Sequence, residues 1–295
     1  MLLLRPAYFF LAIFGVVSAS WCGAPVLSEA GLAVHRKFRA QEAAAAAARN
    51  ASSLRARQVD SMQIPVYFHL FRQSESESAV LAYQVRQQVD MLNRYFRPAG
   101  YSFDLAGIES QVVPDLGPVW LGTEADRQIK QSRVGDMRTL NFYVVPNIVN
   151  NFAGYATFPW WSLQQPQLDG VVMKRDNIPG GRAVGFNTGK IGVHETGHWL
   201  GLLHTFEGGC DEGDQVDDTP AEAGPAYGCP IISDSCPQPG SDPIHNHMDY
   251  TNDACRWEFT SGQVQRMYNM YTEYRLPPLG DGGTGEPEPL PEPRF

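Results

Sequence analysis

The most informative stretch of the sequence is Ile191-Gly-Val-His-Glu-Thr-Gly-His-Trp-Leu-Gly-Leu-Leu-His-Thr-Phe206. It combines three histidines with a glutamate and a glycine. His194 and His198 are four residues apart, so a helix points both side chains to one side. His204 would face away on an unbroken helix, so the helix must end before it. Gly201 offers that end, because glycine adopts the left-handed conformation without strain. The stretch therefore predicts three imidazoles around one metal ion.

Three protein ligands leave one position of a tetrahedral zinc ion open, and that distinguishes a catalytic site from a structural one. Glu195 lies next to a ligand on the same helix. It is therefore our candidate general base, which takes a proton from zinc-bound water and returns it to the leaving amine. Three histidines brought together by chance are the alternative, and the spacing of Gly201 and His204 argues against it.

The pattern His194-Glu195-x-x-His198-x-x-Gly201-x-x-His204 resembles the long zinc signature of the metzincins, which also contain a methionine turn. His245-Asn-His-Met248-Asp-Tyr250 resembles that turn, with Met248 as an apolar floor under the ligands. Further motifs narrow the resemblance to the pappalysin group (peptidase family M43), especially its secreted fungal-type and bacterial members. These motifs are Gly-Gly-Cys210, Asp218-Thr-Pro220 and Asp234-Ser-Cys236-Pro. The resemblance spans residues 62–275.

The resemblance implies an α+β fold with a two-lobed, metzincin-like catalytic domain. The upper lobe should hold a twisted mixed sheet and helices that include the zinc helix. The lower lobe should be irregular, with disulfides, the methionine turn and a C-terminal helix. Apolar patterns predict strands at 64–71, 101–105, 140–145 and 170–174, and a helix at 79–96. A capping box at Thr260 predicts a final helix that extends to residue 274. We expect strand 140–145 to line the cleft as an edge, and segment 151–161 to flank the cleft as a loop, with core packing as the alternative.

Residues 1–19 have the composition of a secretory signal, with Arg5, an apolar run at 8–17 and a small-residue cleavage site. An uncleaved membrane anchor is the alternative. Residues 20–58 are interpreted as a pro-segment, 59–276 as the catalytic domain and 277–295 as a disordered tail rich in proline, glycine and glutamate. The pro-segment should contain a helix at 41–49, a glycosylation acceptor at Asn50 and a processing site at 55–57. The sequence thus predicts a secreted, extracellular protein without stable membrane association.

Five cysteines agree with export. The four that follow the zinc motif allow three pairings, and the resemblance implies Cys210 with Cys236 and Cys229 with Cys255. Cys22 is left over. It is a candidate for a latency device, in which its thiolate occupies the open zinc position until the pro-segment is removed. A free or intermolecularly paired cysteine is the alternative.

The segment that follows the zinc motif concentrates carboxylates between turn residues, and hard oxygen ligands on a loop suit calcium. From the residues alone a solvated acidic loop is favoured, because the spacing does not match a helix-loop-helix calcium motif. The resemblance implies calcium, with Asp214, Asp217 and Thr219 as candidate ligands. The net charge of −9 argues against a nucleic-acid partner.

Tyr250 is placed as in metzincins whose tyrosine hydroxyl approaches the metal, so it is a candidate donor to the oxyanion, with packing alone as the alternative. Some relatives prefer a basic residue after the scissile bond and use an acid directly before the fourth cysteine. Here that position is Ala254, and Asp253 lies one residue earlier, so the basic preference is not carried over.

Together these features predict a zinc-dependent metalloendopeptidase that acts as a monomer on protein or peptide substrates. A silent secreted binding protein and a zinc hydrolase of non-protein substrates are the alternatives. The intact Glu195 argues against the first, and the methionine turn argues against the second.

Overall fold

The computed structural model of the protein describes residues 21–25, 27–51 and 61–276. Its strands are β1 (Met62–Arg72), β2 (Tyr101–Val112), β3 (Leu140–Val145), β4 (Gly154–Ala156) and β5 (Val171–Lys174). Its helices are α1 (Glu29–Ala51), α2 (Ala82–Phe96), α3 (Glu124–Lys130), α4 (Pro159–Ser162), α5 (Lys190–Trp199), α6 (Gly209–Glu212) and α7 (Ser261–Tyr274). The signal segment 1–19, the processing site 55–57 and the tail 277–295 lie outside the described residues.

The five strands form one mixed sheet in the order β2, β1, β3, β5, β4. The first four run parallel to their neighbours, and β4 is antiparallel to β5. The four strands predicted from apolar patterns are confirmed, although β1 and β2 are longer than predicted. The sheet and its helices confirm the α+β class.

The prediction that strand 140–145 forms an edge of the sheet is wrong. This segment is β3, which lies between β1 and β5 with all six residues buried. A short, nearly continuous apolar run is typical of a parallel strand covered on both faces, and that is the environment here.

The edge beside the active-site helix is β4, which comes from the segment predicted as a cleft-flanking loop. Residues 153–161 are all buried, so this segment also packs in the core. The two interpretations, a segment that flanks the cleft and a segment that packs in the core, are therefore both correct in part. Three of its residues form the strand that borders α5, and the short helix α4 follows.

One core cluster lies between the sheet and helices α2 and α5. Helix α2 contributes buried apolar side chains at the spacing of one helical face, namely Val85, Val89, Leu92 and Phe96. It begins three residues later than predicted, at Ala82, where the Gln84 side chain accepts a hydrogen bond from the backbone N–H of Leu81 at 3.0 Å. The second cluster, on the other face of the sheet, is aromatic and includes Trp160 and Trp161.

Helix α1 contains the helix predicted at 41–49 and packs against the second cluster. Phe38 is buried there, and Leu27 joins it from just before the helix. The Arg266 guanidinium of α7 donates hydrogen bonds from Nε and Nη2 to the Glu42 carboxylate, both at 2.9 Å. None of the helices in the described ranges has the length and apolar character needed to span a membrane.

The region after α5 is irregular and is held by two disulfides, Cys210 to Cys236 and Cys229 to Cys255. This is the alternating pairing that the resemblance implies. Helix α7 then begins with the predicted capping box, in which the Thr260 hydroxyl accepts from the Gln263 N–H at 3.1 Å.

Candidate metal centre

Helix α5 carries His194, Glu195 and His198 and ends where the sequence predicts. Leu200 leaves the helical conformation, and Gly201 has a φ of 97°. A Cβ at position 201 would also come within 2.6 Å of Met270 Cγ, so both the backbone conformation and the contact with α7 require glycine. The chain then turns back and places His204 beside the two helical histidines.

The Nε2 atoms of the three histidines converge. The Nε2 of His198 lies 3.1 Å from that of His194 and 3.1 Å from that of His204. Each ring also has a contact at its other nitrogen. His194 Nδ1 contacts the backbone oxygen of His247 at 2.7 Å, and His198 Nδ1 contacts that of Leu202 at 2.7 Å. His204 Nδ1 lies 3.4 Å from Glu207 Oε2. All three imidazoles are buried.

This arrangement fits a cation. A backbone oxygen only accepts hydrogen bonds, so Nδ1 of His194 and of His198 must carry the proton. In the neutral rings Nε2 then holds a lone pair, and burial lowers the pKa of both side chains, which favours the neutral form. Lone pairs that face one another at 3.1 Å repel unless a positive ion lies between them. The donor set therefore suits a metal that imidazoles bind.

Glu195 is buried next to the cluster, and burial raises its pKa to about 8. Its side chain lies against Gly154 of the edge strand, where a Cβ would come within 2.8 Å of Glu195 Cγ. Strand β4 and the glutamate are therefore adjacent, and the absence of a side chain at position 154 makes this contact possible.

Met248 and Tyr250 belong to the predicted methionine turn and contact different parts of the site. Met248 is fully buried below α5, and a Cβ at Gly197 would come within 2.5 Å of its sulfur. The Tyr250 ring lies beside His204, with ring centroids 5.0 Å apart. Its hydroxyl donates a hydrogen bond to the backbone oxygen of Cys22 at 3.2 Å.

Cys22 lies over the histidines. Its sulfur is 3.6 Å from His198 Nε2 and donates to Glu195 Oε2 at 3.7 Å. The ligand atoms of Cys22, His194, His198 and His204 all lie within 4.8 Å of one another, and this is the one group of its kind among the described residues.

The backbone around Cys22 pairs with the edge strand in the parallel direction. Ala153 N donates to the oxygen of Trp21 at 2.6 Å, and Gly23 N donates to the oxygen of Gly154 at 2.8 Å. The N-terminal segment therefore occupies the edge that an extended peptide would use.

Two of the three predicted calcium ligands already accept hydrogen bonds from other groups of the protein. Asp214 is buried, and its carboxylate accepts from the Val216 N–H at 2.9 Å. Asp217 is exposed and accepts from Arg39 Nε of the N-terminal helix at 2.7 Å. Thr219 is buried nearby.

The backbone of Asn50, the predicted glycosylation acceptor, belongs to α1, whereas its side chain lies outside the described residues.

Two residues of the site, Trp21 and Arg256, were not predicted, and Gly154 was predicted only as part of the cleft-flanking segment 151–161. Trp21 precedes Cys22 and contacts the cluster directly, with its ring centroid 4.6 Å from that of His194. Arg256 is fully buried, with its guanidinium carbon 4.7 Å from the Trp21 ring centroid. The position of Arg256 directly after a disulfide cysteine near the methionine turn was the available signal.

Comparison with known proteins agrees with this geometry. The profile of the peptidase M43 family, described as pregnancy-associated plasma protein-A, matches residues 123–272. An extracellular metalloprotease of Pyricularia oryzae is 41% identical over 260 residues, which cover 86% of this chain and 89% of that protein. An extracellular metalloprotease of Verticillium alfalfae is 43% identical over 223 residues, covering 72% and 77%.

Two solved structures from Tannerella forsythia are also similar. Mature mirolysin in complex with a cleaved peptide has a TM-score of 0.65 and 28% identity, covering 74% of this chain and 96% of that chain. A promirolysin mutant has a TM-score of 0.66 and 27% identity, covering 86% and 94%. With a matching family profile and a relative that is 41% identical over most of its length, the chain belongs to the M43 peptidases, the pappalysins, and is a metalloendopeptidase.

Proposed function

We propose that the chain is a zinc-dependent endopeptidase that hydrolyses peptide bonds in extracellular proteins. The observation that carries this proposal is the convergence of three buried imidazoles beside a buried glutamate. The protein is extracellular, as its fungal relatives are named, and proteins or peptides are its substrates.

His194, His198 and His204 would hold the zinc ion through their Nε2 atoms. When bound, zinc supplies Lewis acidity to the site. The hydrogen bonds at Nδ1 keep the His194 and His198 imidazoles in the orientation required for binding. This arrangement leaves the ligand atoms preorganised before the metal arrives.

Glu195 is the general base in this proposal. Its carboxylate accepts the proton of the attacking water and passes it to the leaving amine. Burial beside β4 holds the side chain in place and excludes bulk water from it. Because the edge strand is adjacent, a substrate backbone paired with β4 passes within reach of the carboxylate.

Tyr250 would stabilise the negative charge that develops on the substrate carbonyl oxygen. Support comes from the bond that its hydroxyl donates to the backbone oxygen of Cys22, because that oxygen lies beside the metal cluster as a substrate carbonyl would. Replacement of Tyr250 by Phe should lower kcat by about tenfold to 100-fold, with little change in KM.

Residues 20–58 would act as a pro-segment, followed by the catalytic domain 59–276. Cys22 would hold the enzyme latent, with its sulfur at the position left open by the three histidines. The cysteine is buried, which disfavours an intermolecular disulfide. The similarity to the promirolysin mutant covers 86% of the chain, against 74% for mature mirolysin, and this agrees with an additional N-terminal segment.

The latency proposal is tested with the unprocessed chain. We expect Cys22→Ser to show measurable cleavage of a peptide substrate before any processing, whereas the wild-type chain remains inactive. Equal inactivity of both chains, with the processed variant fully active, would assign latency to the rest of the pro-segment.

The main experiment measures hydrolysis of fluorescent casein by the processed protein, with and without a zinc chelator, beside Glu195→Ala. We expect both the chelator and the substitution to abolish cleavage. Zinc content measured on Glu195→Ala should equal that of the wild type, which separates loss of the base from loss of the metal. A processed, zinc-loaded wild type that cleaves neither casein nor a diverse peptide library would contradict the proposal.

Calcium at Asp214, Asp217 and Thr219 stays a prediction, as does a monomeric state. Elemental analysis of the processed protein tests the first, and light scattering tests the second. Processing removes Arg39 from Asp217, so the processed form is the appropriate sample for calcium.

A further inference from the structure

The side chain of Trp21 fills a pocket next to the metal cluster, and we call this the Trp21 pocket. Its walls are Phe186, His194, Tyr250 and Arg256. The Trp21 ring centroid lies 4.6 Å from that of His194, 4.7 Å from that of Tyr250 and 5.9 Å from that of Phe186. The indole N–H donates to the backbone oxygen of Tyr250 at 2.9 Å. The pocket thus already accommodates the largest aromatic side chain.

One wall of the pocket is the positively charged guanidinium of Arg256. The Arg256 guanidinium carbon lies 4.7 Å from the Trp21 ring centroid, within the range of a cation–π contact. The guanidinium is fully buried, so its charge is poorly screened by solvent. It therefore attracts an aromatic face and repels a second cation placed at the same position.

Asp253 pairs with Arg256 and offsets part of this charge, but it offers no carboxylate oxygen to an incoming ligand. Its Oδ1 accepts from Arg256 Nη2 at 2.9 Å, and its Oδ2 accepts from the Thr188 N–H at 2.8 Å and hydroxyl at 2.7 Å. Both carboxylate oxygens are engaged within the protein. A basic substrate side chain would have to break these bonds and also approach the guanidinium.

The pocket adjoins the position where a scissile bond would lie. Trp21 immediately precedes Cys22, whose backbone oxygen accepts from Tyr250 and whose sulfur lies over the histidines. The N-terminal segment runs parallel to β4. A substrate paired antiparallel to β4, which is the more stable arrangement, places in the pocket the residue that follows the scissile bond.

We infer that the Trp21 pocket selects an aromatic residue immediately after the scissile bond, and that Arg256 excludes lysine and arginine there. This inference rests on the proposed proteolytic function and adds the substrate class. It departs from the basic preference of some relatives, because a basic side chain in this pocket would meet the Arg256 guanidinium and a carboxylate already paired with it.

The test uses the processed, zinc-loaded protein and a set of peptides that differ at a single position after one scissile bond, with Trp, Phe, Leu, Lys or Arg there. Mass spectrometry locates the cut, and kcat/KM is measured for each peptide. We expect the Trp and Phe peptides to exceed the Arg and Lys peptides by roughly 100-fold, as expected for a like charge in a buried pocket. Faster cleavage of the Arg peptide would overturn the inference, whereas no cleavage of any peptide would count against proteolysis itself.

The double variant Asp253→Asn with Arg256→Met tests the residue that we hold responsible, because it removes the buried pair together and leaves no unpaired charge. We expect the ratio of kcat/KM for the Trp peptide to that for the Arg peptide to fall by about tenfold or more. An unchanged ratio in a folded variant would overturn the role of Arg256.

A second comparison does not depend on the folding of that variant. Full-length Trp21→Phe should remain as latent as the wild type, whereas full-length Trp21→Arg should gain activity before processing by about tenfold. Cys22 is unchanged in both chains, so any difference between them reports the pocket. Equal latency of the two variants would overturn the inference.

Discussion

Gly154 and Glu195 are in such close contact that a methyl group at position 154 would lie 2.8 Å from Glu195 Cγ and 2.9 Å from its Oε1. The contact joins the edge strand to the active-site helix. The substrate-binding edge and the proposed base are therefore positioned by one another, and a change at either residue moves the other.

Gly154→Ala should lower kcat/KM by about tenfold to 100-fold, because the new methyl group displaces Glu195 from its position against β4. Gly117→Ala is the matched control, since a Cβ there meets no atom within 4 Å. Kinetics on one peptide substrate, together with the Tm of each variant, separate a local displacement from unfolding. A Gly154→Ala enzyme with wild-type kinetics would show that the glutamate tolerates the methyl group.

The local geometry of the histidines could be predicted from the sequence because all three lie within eleven residues. A helical period and one glycine are sufficient to bring His194, His198 and His204 together. The disulfide pairing could not be predicted from the residues alone, because four cysteines allow three pairings. The family resemblance indicated which of the three to expect.

The cleft edge could not be predicted, for a physical reason. Strand β4 has three residues, too few to show the alternation that identifies a strand. Strand β3 has a much clearer apolar pattern, but that pattern reports burial on both faces and thus a central position. The Trp21 pocket was missed because Trp21 and Arg256 meet only through the tertiary fold.

Metal removal should destabilise the processed protein. Without a cation the Nε2 lone pairs of His194 and His198 face one another at 3.1 Å. Zinc at roughly 1,000 times its Kd stabilises the folded state by about 4 kcal/mol, so a chelator should lower the Tm and added zinc should restore it. His204→Ala should show a much smaller response to the chelator. An unaltered wild-type Tm after verified loss of zinc would contradict this prediction.

The two disulfides offer a matched pair, because each joins cysteines separated by 26 positions. Replacing either pair by alanine should lower the free energy of unfolding by about 3 kcal/mol, through the chain entropy of the unfolded state. The Cys229 to Cys255 bridge should also affect catalysis, since Cys255 precedes Arg256 and its backbone oxygen contacts His245 Nδ1 at 2.7 Å. Denaturant unfolding and peptide kinetics measure the two effects. Equal kinetic losses in both double variants would contradict the local role.

Acid should weaken the docking of α1 on the catalytic domain. His35 of α1 is buried, and its Nδ1 lies 3.1 Å from Arg266 Nη1. A guanidinium only donates, so Nδ1 of His35 must accept and carry no proton. The surrounding groups are the Phe158 and Trp160 rings and Glu42, which is paired with Arg266.

Burial, and then the charge of Arg266, lower the pKa of His35 well below its ordinary value of 6.5. The undocked helix therefore binds a proton more readily than the docked helix, and docking is fully stable only above about pH 6.5. As the pH falls below about 6.5, the docking free energy should decrease progressively. Hydrogen exchange of the α1 amides at several pH values, after correction for the intrinsic exchange rate, measures this loss. His35→Phe removes the titrating group, so its α1 protection should change less with pH, and an identical pH dependence in both chains would assign the effect to other groups.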